Sequence, residues 1–122
     1  MTDILFAYGR REAIRDGQLI DVSDAAEQAG YLMAVAMTRA VWRRYVQVPP
    51  GVGWQEEQAR LSEMLWVLRR TIEAKRPADC ILRFQWHVRN DNGKAKAVTL
   101  KAVCGPDDDL QPVITIMLPG EG

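Results

Sequence analysis

The stretch Cys80-Ile81-Leu82-Arg83-Phe84-Gln85-Trp86-His87-Val88 decides the fold. Its side chains alternate, with Cys80, Leu82, Phe84, Trp86 and Val88 on one side and Ile81, Arg83, Gln85 and His87 on the other. A period of two is the mark of a half-buried strand. Asn90-Asp91-Asn92-Gly93 follows as a turn signal, and Val98 to Cys104 alternates again, with Val98, Leu100, Ala102 and Cys104 forming the apolar face. A two-residue loop at Asn92-Gly93 would set Trp86 opposite Thr99 and mix the faces. A loop centred on Gly93 sets Trp86 opposite Leu100 and Phe84 opposite Ala102. Register follows the buried face, so an odd loop length is expected. Gly105-Pro106-Asp107-Asp108-Asp109 makes the next turn, and Val113 to Leu118 a third strand with Ile114, Ile116 and Leu118 facing in.

Such a meander needs a cover for its apolar face. The segment from about Trp54 to Lys75 supplies one: Leu61, Met64, Leu65, Leu68 and Ile72 recur at three- and four-residue steps as a single stripe. Pro77 ends that helix. Trp66 falls off the stripe, about 140° from Leu61 at 100° per residue. Val48-Pro49-Pro50-Gly51-Val52-Gly53 reads as a loop before the helix.

Further toward the N-terminus the elements are short. Residues 9–16 read as a helix stopped by Gly17. Gln18 to Val22 is extended, Ser23 is expected to cap a helix from Asp24 to Ala29, and Gly30 stops it. Tyr31 to Met37 is apolar and fits either strand or helix. Thr38 is placed to cap about two helical turns, with Val41, Trp42 and Tyr45 on one side and Arg39, Arg43 and Arg44 on the other. The expected fold is α+β: an antiparallel β-meander of at least three strands packed on one long helix, with short N-terminal helices.

The 122 residues fit one domain, 1–122, and 48% apolar content is too high for a disordered chain. Lys+Arg and Asp+Glu both number 16, so only a local patch would attract nucleic acid or anionic lipid. The N-terminus has no basic, long apolar leader, and no stretch approaches the roughly 20 apolar residues of a spanning helix, so a cytoplasmic protein without membrane association is expected. Two cysteines and one histidine fall short of a Cys/His zinc site, which takes about four ligands. No phosphate-binding, dinucleotide, nucleophile-elbow or zinc-protease motif occurs, and no cofactor and no catalytic residue is assigned.

The runs Arg89 to Gly93, Val98 to Pro106 and Pro112 to Pro119, with Gly17 to Ser23 and Thr38 to Trp42, resemble an uncharacterised family of small bacterial proteins. Its members are encoded on plasmids, integrative elements and phage-like regions. The resemblance spans nearly the whole chain and implies company with conjugation, element upkeep or evasion of host defence. It implies no activity.

The remaining candidates are surface features. Trp66 and Trp42, with Arg39, Arg43 and Arg44, are candidates for contact with a protein partner, since Trp anchors interfaces disproportionately; packing under the N-terminal segment is the alternative for both tryptophans. Arg10, Arg11 and Arg15, together with Arg83, Arg89 and Lys101 on the outer sheet face, are candidates for nucleic-acid contact. That face lacks stacking aromatics, which weakens an RNA platform. His87 is expected on the outer face, roughly across from Thr99, and Cys104 inside, with Cys80 diagonal to it. Asp107 to Asp109 lacks the spacing of a calcium loop and is expected to be a solvated turn. A non-enzymatic interaction factor of a mobile element is the favoured reading, with a nucleic-acid accessory factor and a small enzyme centred on His87 as alternatives; the oligomeric state is left open.

Overall fold

A computed structural model describes residues 9–48, 54–75, 80–88 and 96–121. In chain order the elements are α1 (Arg10–Arg15), β1 (Leu19–Asp21), α2 (Ser23–Gln28), β2 (Ala34–Thr38), α3 (Arg39–Val41) running into a π-helical turn (Trp42–Val46), α4 (Trp54–Lys75), β3 (Ile81–Val88), β4 (Lys96–Pro106) and β5 (Pro112–Met117). The strands form one five-stranded sheet in the order β1-β2-β5-β4-β3. The β3-β4-β5 meander is antiparallel, as the alternation requires. The sheet as a whole is mixed, because β2 runs parallel to β5, pairing Val35 with Ile114. β1 then closes the far side antiparallel to β2.

This order makes β5 the central strand. Its run Val-Ile-Thr-Ile-Met is buried on both faces from Val113 to Met117, the pattern of a strand covered on two sides. Val113, Thr115 and Met117 are thus covered on the opposite face from the expected inward set Ile114, Ile116 and Leu118. Ile114 and Ile116 join the main core, and Leu118 is half-buried against it.

The main core lies between the inner sheet face and α4. Leu61, Met64, Leu65 and Leu68 meet Phe84, Trp86, Leu100 and Ile116, all buried, and Ile72 is half-buried at the end of the stripe. Phe84 pairs with Leu100 and Trp86 with Val98. The faces are those the alternation predicts, but the register is two residues from the one expected. Seven residues, 89–95, separate the last pair, Val88 and Lys96; the number is odd, and the turn Asn90 to Gly93 lies outside the described residues. Trp86 donates its indole N–H to Glu63 Oε1 at 3.2 Å and meets Tyr45 edge-on with ring centroids 6.4 Å apart, so the polar tip of a buried aromatic is satisfied.

A smaller cluster, Ala13, Leu19 and Ala36 with Ile14, fixes α1 against the other face of the sheet. Gly17, at φ 80°, ends α1 as expected. Ser23 is a first helical residue of α2 rather than its cap; its hydroxyl donates to Asp21 Oδ1 at 2.6 Å and its Oγ accepts the Val35 N–H at 3.2 Å. Thr38 does cap the next helix, accepting the Val41 N–H at 3.3 Å. That helix changes to π geometry after one turn, with the Gln47 N–H reaching Trp42 O at 2.7 Å. The loop expected at Val48 to Gly53 is described only at Val48.

Candidate interaction surface

Beyond α2 the chain is turned sharply by Gly30, at φ 95°, and crosses α4. Two bonds hold that crossing. The Tyr31 hydroxyl donates to Leu65 O at 2.7 Å, and Arg69 Nη1 donates to Ala29 O at 2.6 Å. Burial raises the Tyr31 pKa well above its ordinary value, against a smaller opposing effect of Arg69. The hydroxyl therefore stays a donor across the physiological range.

Between this crossing, the second half of α4 and the end of the inner sheet face lies an open groove of about 640 Å³. Tyr31, Leu32, Met33, Ile72, Leu82 and Ala102 give it mostly apolar walls, and Cys80 and Cys104 lie on its floor. Leu32 projects wholly into solvent at 101% relative exposure. The sequence reading missed this groove, because it arises where the helix stripe ends before the sheet does. Its one signal was the apolar run from Tyr31 to Met33, which periodicity could not assign.

Trp66 stands on α4 one residue from Leu65 and is 56% exposed. The Arg70 guanidinium lies over its ring at 5.0 Å from the centroid, a cation–π contact worth about 0.5–1 kcal/mol at an exposed site. Trp42 differs: it is half-buried against the main core and lines a small recess of about 190 Å³ with Val22, Gln58 and Leu61. Arg39 is half-buried, while Arg43 and Arg44 are exposed on the π turn itself.

Of the N-terminal arginines, Arg10 is drawn into the fold, and Arg11 and Arg15 remain exposed. Arg10 donates to Thr115 Oγ1 at 2.6 Å and to Ile114 O at 3.1 Å. Desolvation lowers its pKa, opposed by Asp21, Asp107 and Asp108. Arg11 pairs with Asp109 at 3.0 Å, and Arg15 lies 3.5 Å from Glu12. Asp108 accepts the backbone N–H groups of both Arg10 and Arg11, at 3.1 and 3.0 Å. Asp107 organises its own turn by accepting the N–H groups of Asp109 and Gln111, each at 2.8 Å. The acidic turn is exposed at Asp108 and Asp109, as expected, and in addition caps α1 from the other end of the chain.

On the outer sheet face Arg83 is exposed and Lys101 donates to Glu121 O at 2.6 Å. Arg89 lies outside the described residues. His87 is exposed and faces Ala97, not Thr99. Cys104 shares the inner parity of Leu100 and Ala102, yet it is exposed. It sits past the reach of the helix, so facing inward there means facing the groove. Cys80 lies directly opposite it, not diagonally, with the Cys104 N–H donating to Cys80 O at 2.7 Å. Among the described residues, no three His, Cys, Asp or Glu side chains gather in a group able to hold a metal, and no helix is long and apolar enough to cross a membrane.

No curated protein and no solved structure matches the chain. Its full length, residues 1–122, matches a family described only as a family of unknown function, DUF6573, and the protein belongs to that family.

Proposed function

We propose that this protein is a non-enzymatic interaction factor that binds a partner protein through the Leu32–Trp66 side of the molecule. The observation that carries the reading is an open apolar groove with a wholly exposed Leu32 in its lining, together with a half-exposed Trp66 on α4 three residues before Arg69, which also lines the groove. Large apolar side chains placed in water beside a concave apolar wall are the usual makings of a contact surface. Arg70, over the Trp66 ring, has no ion-pair partner among the described residues. The complementary occupant is a segment of a partner protein with an apolar anchor for the groove and an acidic flank for Arg70. A bacterial cytoplasmic setting on a mobile element, in element upkeep or evasion of host defence, follows from the resemblance noted above and is part of this proposal.

The nucleic-acid alternative has less support. Arg10 is held by Thr115 Oγ1 and Ile114 O, and the charges of Arg11 and Arg15 are partly offset by Asp109 and Glu12, which leaves less free positive charge for phosphates. A catalytic role for His87 has less support as well, since that side chain is exposed on the outer sheet face.

The test is affinity capture from a bacterial extract with wild type, Trp66→Ala, Leu32→Ser and the outer-face control Gln85→Ala. A partner recovered by wild type and Gln85→Ala but lost with Trp66→Ala and Leu32→Ser is the expected outcome. Recovery of the same partners by all four proteins overturns the proposal.

A further inference from the structure

The two cysteines define a site of a different kind at the floor of the groove. The ladder register Ile81 to Val103, carried one residue further, sets Cys80 opposite Cys104. The 2.7 Å bond from the Cys104 N–H to Cys80 O makes them a hydrogen-bonded antiparallel pair. Both side chains therefore leave the same face, and both are free, exposed and open to the groove.

The spacing of such a pair selects its chemistry. Cβ atoms across a hydrogen-bonded antiparallel pair stand at the wide end of the range, about 5.5 Å apart. A direct S–S bond draws them to about 3.5–4.5 Å, which here requires pinching the strands. One ion between the sulfurs, with metal–sulfur bonds of about 2.3 Å, spans the wider gap without moving the backbone. Two thiolates alone also limit which ion fits. Zinc takes four ligands in a structural site and calcium six or more oxygens, and no third His, Cys, Asp or Glu joins the pair among the described residues. Soft sulfur donors favour copper(I), and the same groove carries the thioether of Met33.

We infer that Cys80 and Cys104 form a dithiolate site for a soft ion of low coordination number, copper(I). On uptake each thiol releases its proton to solvent as its sulfur bonds the ion. Two S–H bonds break, two S–Cu bonds form, two protons leave and no electron moves, because the copper enters already as copper(I). The inference shares the groove with the protein-contact reading but turns on different residues: that reading is tested at Leu32 and Trp66, this one at the two thiols.

The experiment is anaerobic titration of the full chain with copper(I) against a chromophoric copper(I) chelator, with zinc(II) as the comparison ion. Wild type is expected to hold one copper(I) per chain and to release about two protons per ion. Cys80→Ser and Cys104→Ser are each expected to weaken uptake by at least about tenfold, since losing a direct ligand costs no less than losing a group that merely orients one. Zinc is expected to show no stoichiometric uptake. Cys→Ala variants at the same positions, with unfolding curves for all, separate ligand loss from loss of fold. Uptake by the double Cys→Ala variant equal to wild type, retention by either single variant, or zinc held as tightly as copper(I) overturns the assignment.

Discussion

Replacing Gly30 by Ala tests how the chain is held where it crosses α4. Gly30 sits at φ 95°, and a Cβ there would lie 1.9 Å from Arg69 Nη1. Two costs follow. Left-handed backbone costs a residue with a Cβ about 1–2 kcal/mol. The clash falls on the end of a flexible side chain, so Arg69 moves aside and loses its 2.6 Å bond to Ala29 O. Arg69 is about half exposed, with 48% side-chain accessibility, so solvent screening holds that bond to about 0.5–1 kcal/mol. Reduced freedom of the unfolded chain returns about 0.4–1 kcal/mol. The net loss is about 1.5 kcal/mol. Gly17 is the internal control: its φ is 80°, and nothing lies within 4 Å of an added Cβ. Gly17→Ala therefore bears the backbone strain alone, a net loss of about 1 kcal/mol. Urea unfolding of both variants, repeated in an Arg69→Ala background, reads the difference. The excess at Gly30 should vanish once Arg69 is gone. Equal losses at Gly17 and Gly30 in the wild-type background would show that Arg69 does not brace the crossing.

The same unfolding assay separates the two sides of α4. Leu68→Ala, at a fully buried position, should cost about 2–5 kcal/mol, whereas Trp66→Ala should stay within about 1 kcal/mol of wild type, the loss of its contact with Arg70 included; a reversal of that order would refute the assigned helix face. For Asp108, the Arg11 N–H is the largest influence, and together with the Arg10 N–H and both guanidinium charges it outweighs desolvation and holds the carboxyl below its ordinary value of 3.8. A depressed folded-state pKa gives stabilisation that is present above the ordinary value and is lost as pH falls through the depressed one. Asp108→Asn keeps a capping oxygen but does not titrate, so the stability difference between wild type and variant should be constant above about pH 4 and shrink below it. A difference that grows on acidification would reverse the assigned sign.

Much of this arrangement is legible in the chain because burial imposes periods. The stripe Leu61 to Ile72 and the alternation from Leu82 to Trp86 each name a face, and both faces meet in the core. Register is less legible. Moving β3 two residues along β4 preserves every face, so hydrophobic pattern alone cannot choose between Trp86 opposite Leu100 and Trp86 opposite Val98. Pattern also names a side without saying how far its cover extends, which is why Cys104 faces inward and is still exposed. The central place of β5 carried a signal, the unbroken apolar run around Thr115, although its parallel partner β2 lies some 80 residues away in the chain. The acidic cap on α1 carried none: Asp108 and Arg10 are 98 residues apart, and no local rule joins them. The interaction surface was half legible. Trp66 stood out as a misplaced aromatic, whereas the groove depends on where three elements end.

Thiol reactivity of the folded protein measures the openness of that groove most directly. Cys80 and Cys104 form its floor, so both should react with a maleimide at a rate independent of low urea concentrations, without any unfolding. Labelling that proceeds only at the rate of global unfolding, rising steeply with urea, would mean that the groove is closed and the surface assigned to partner binding is not available.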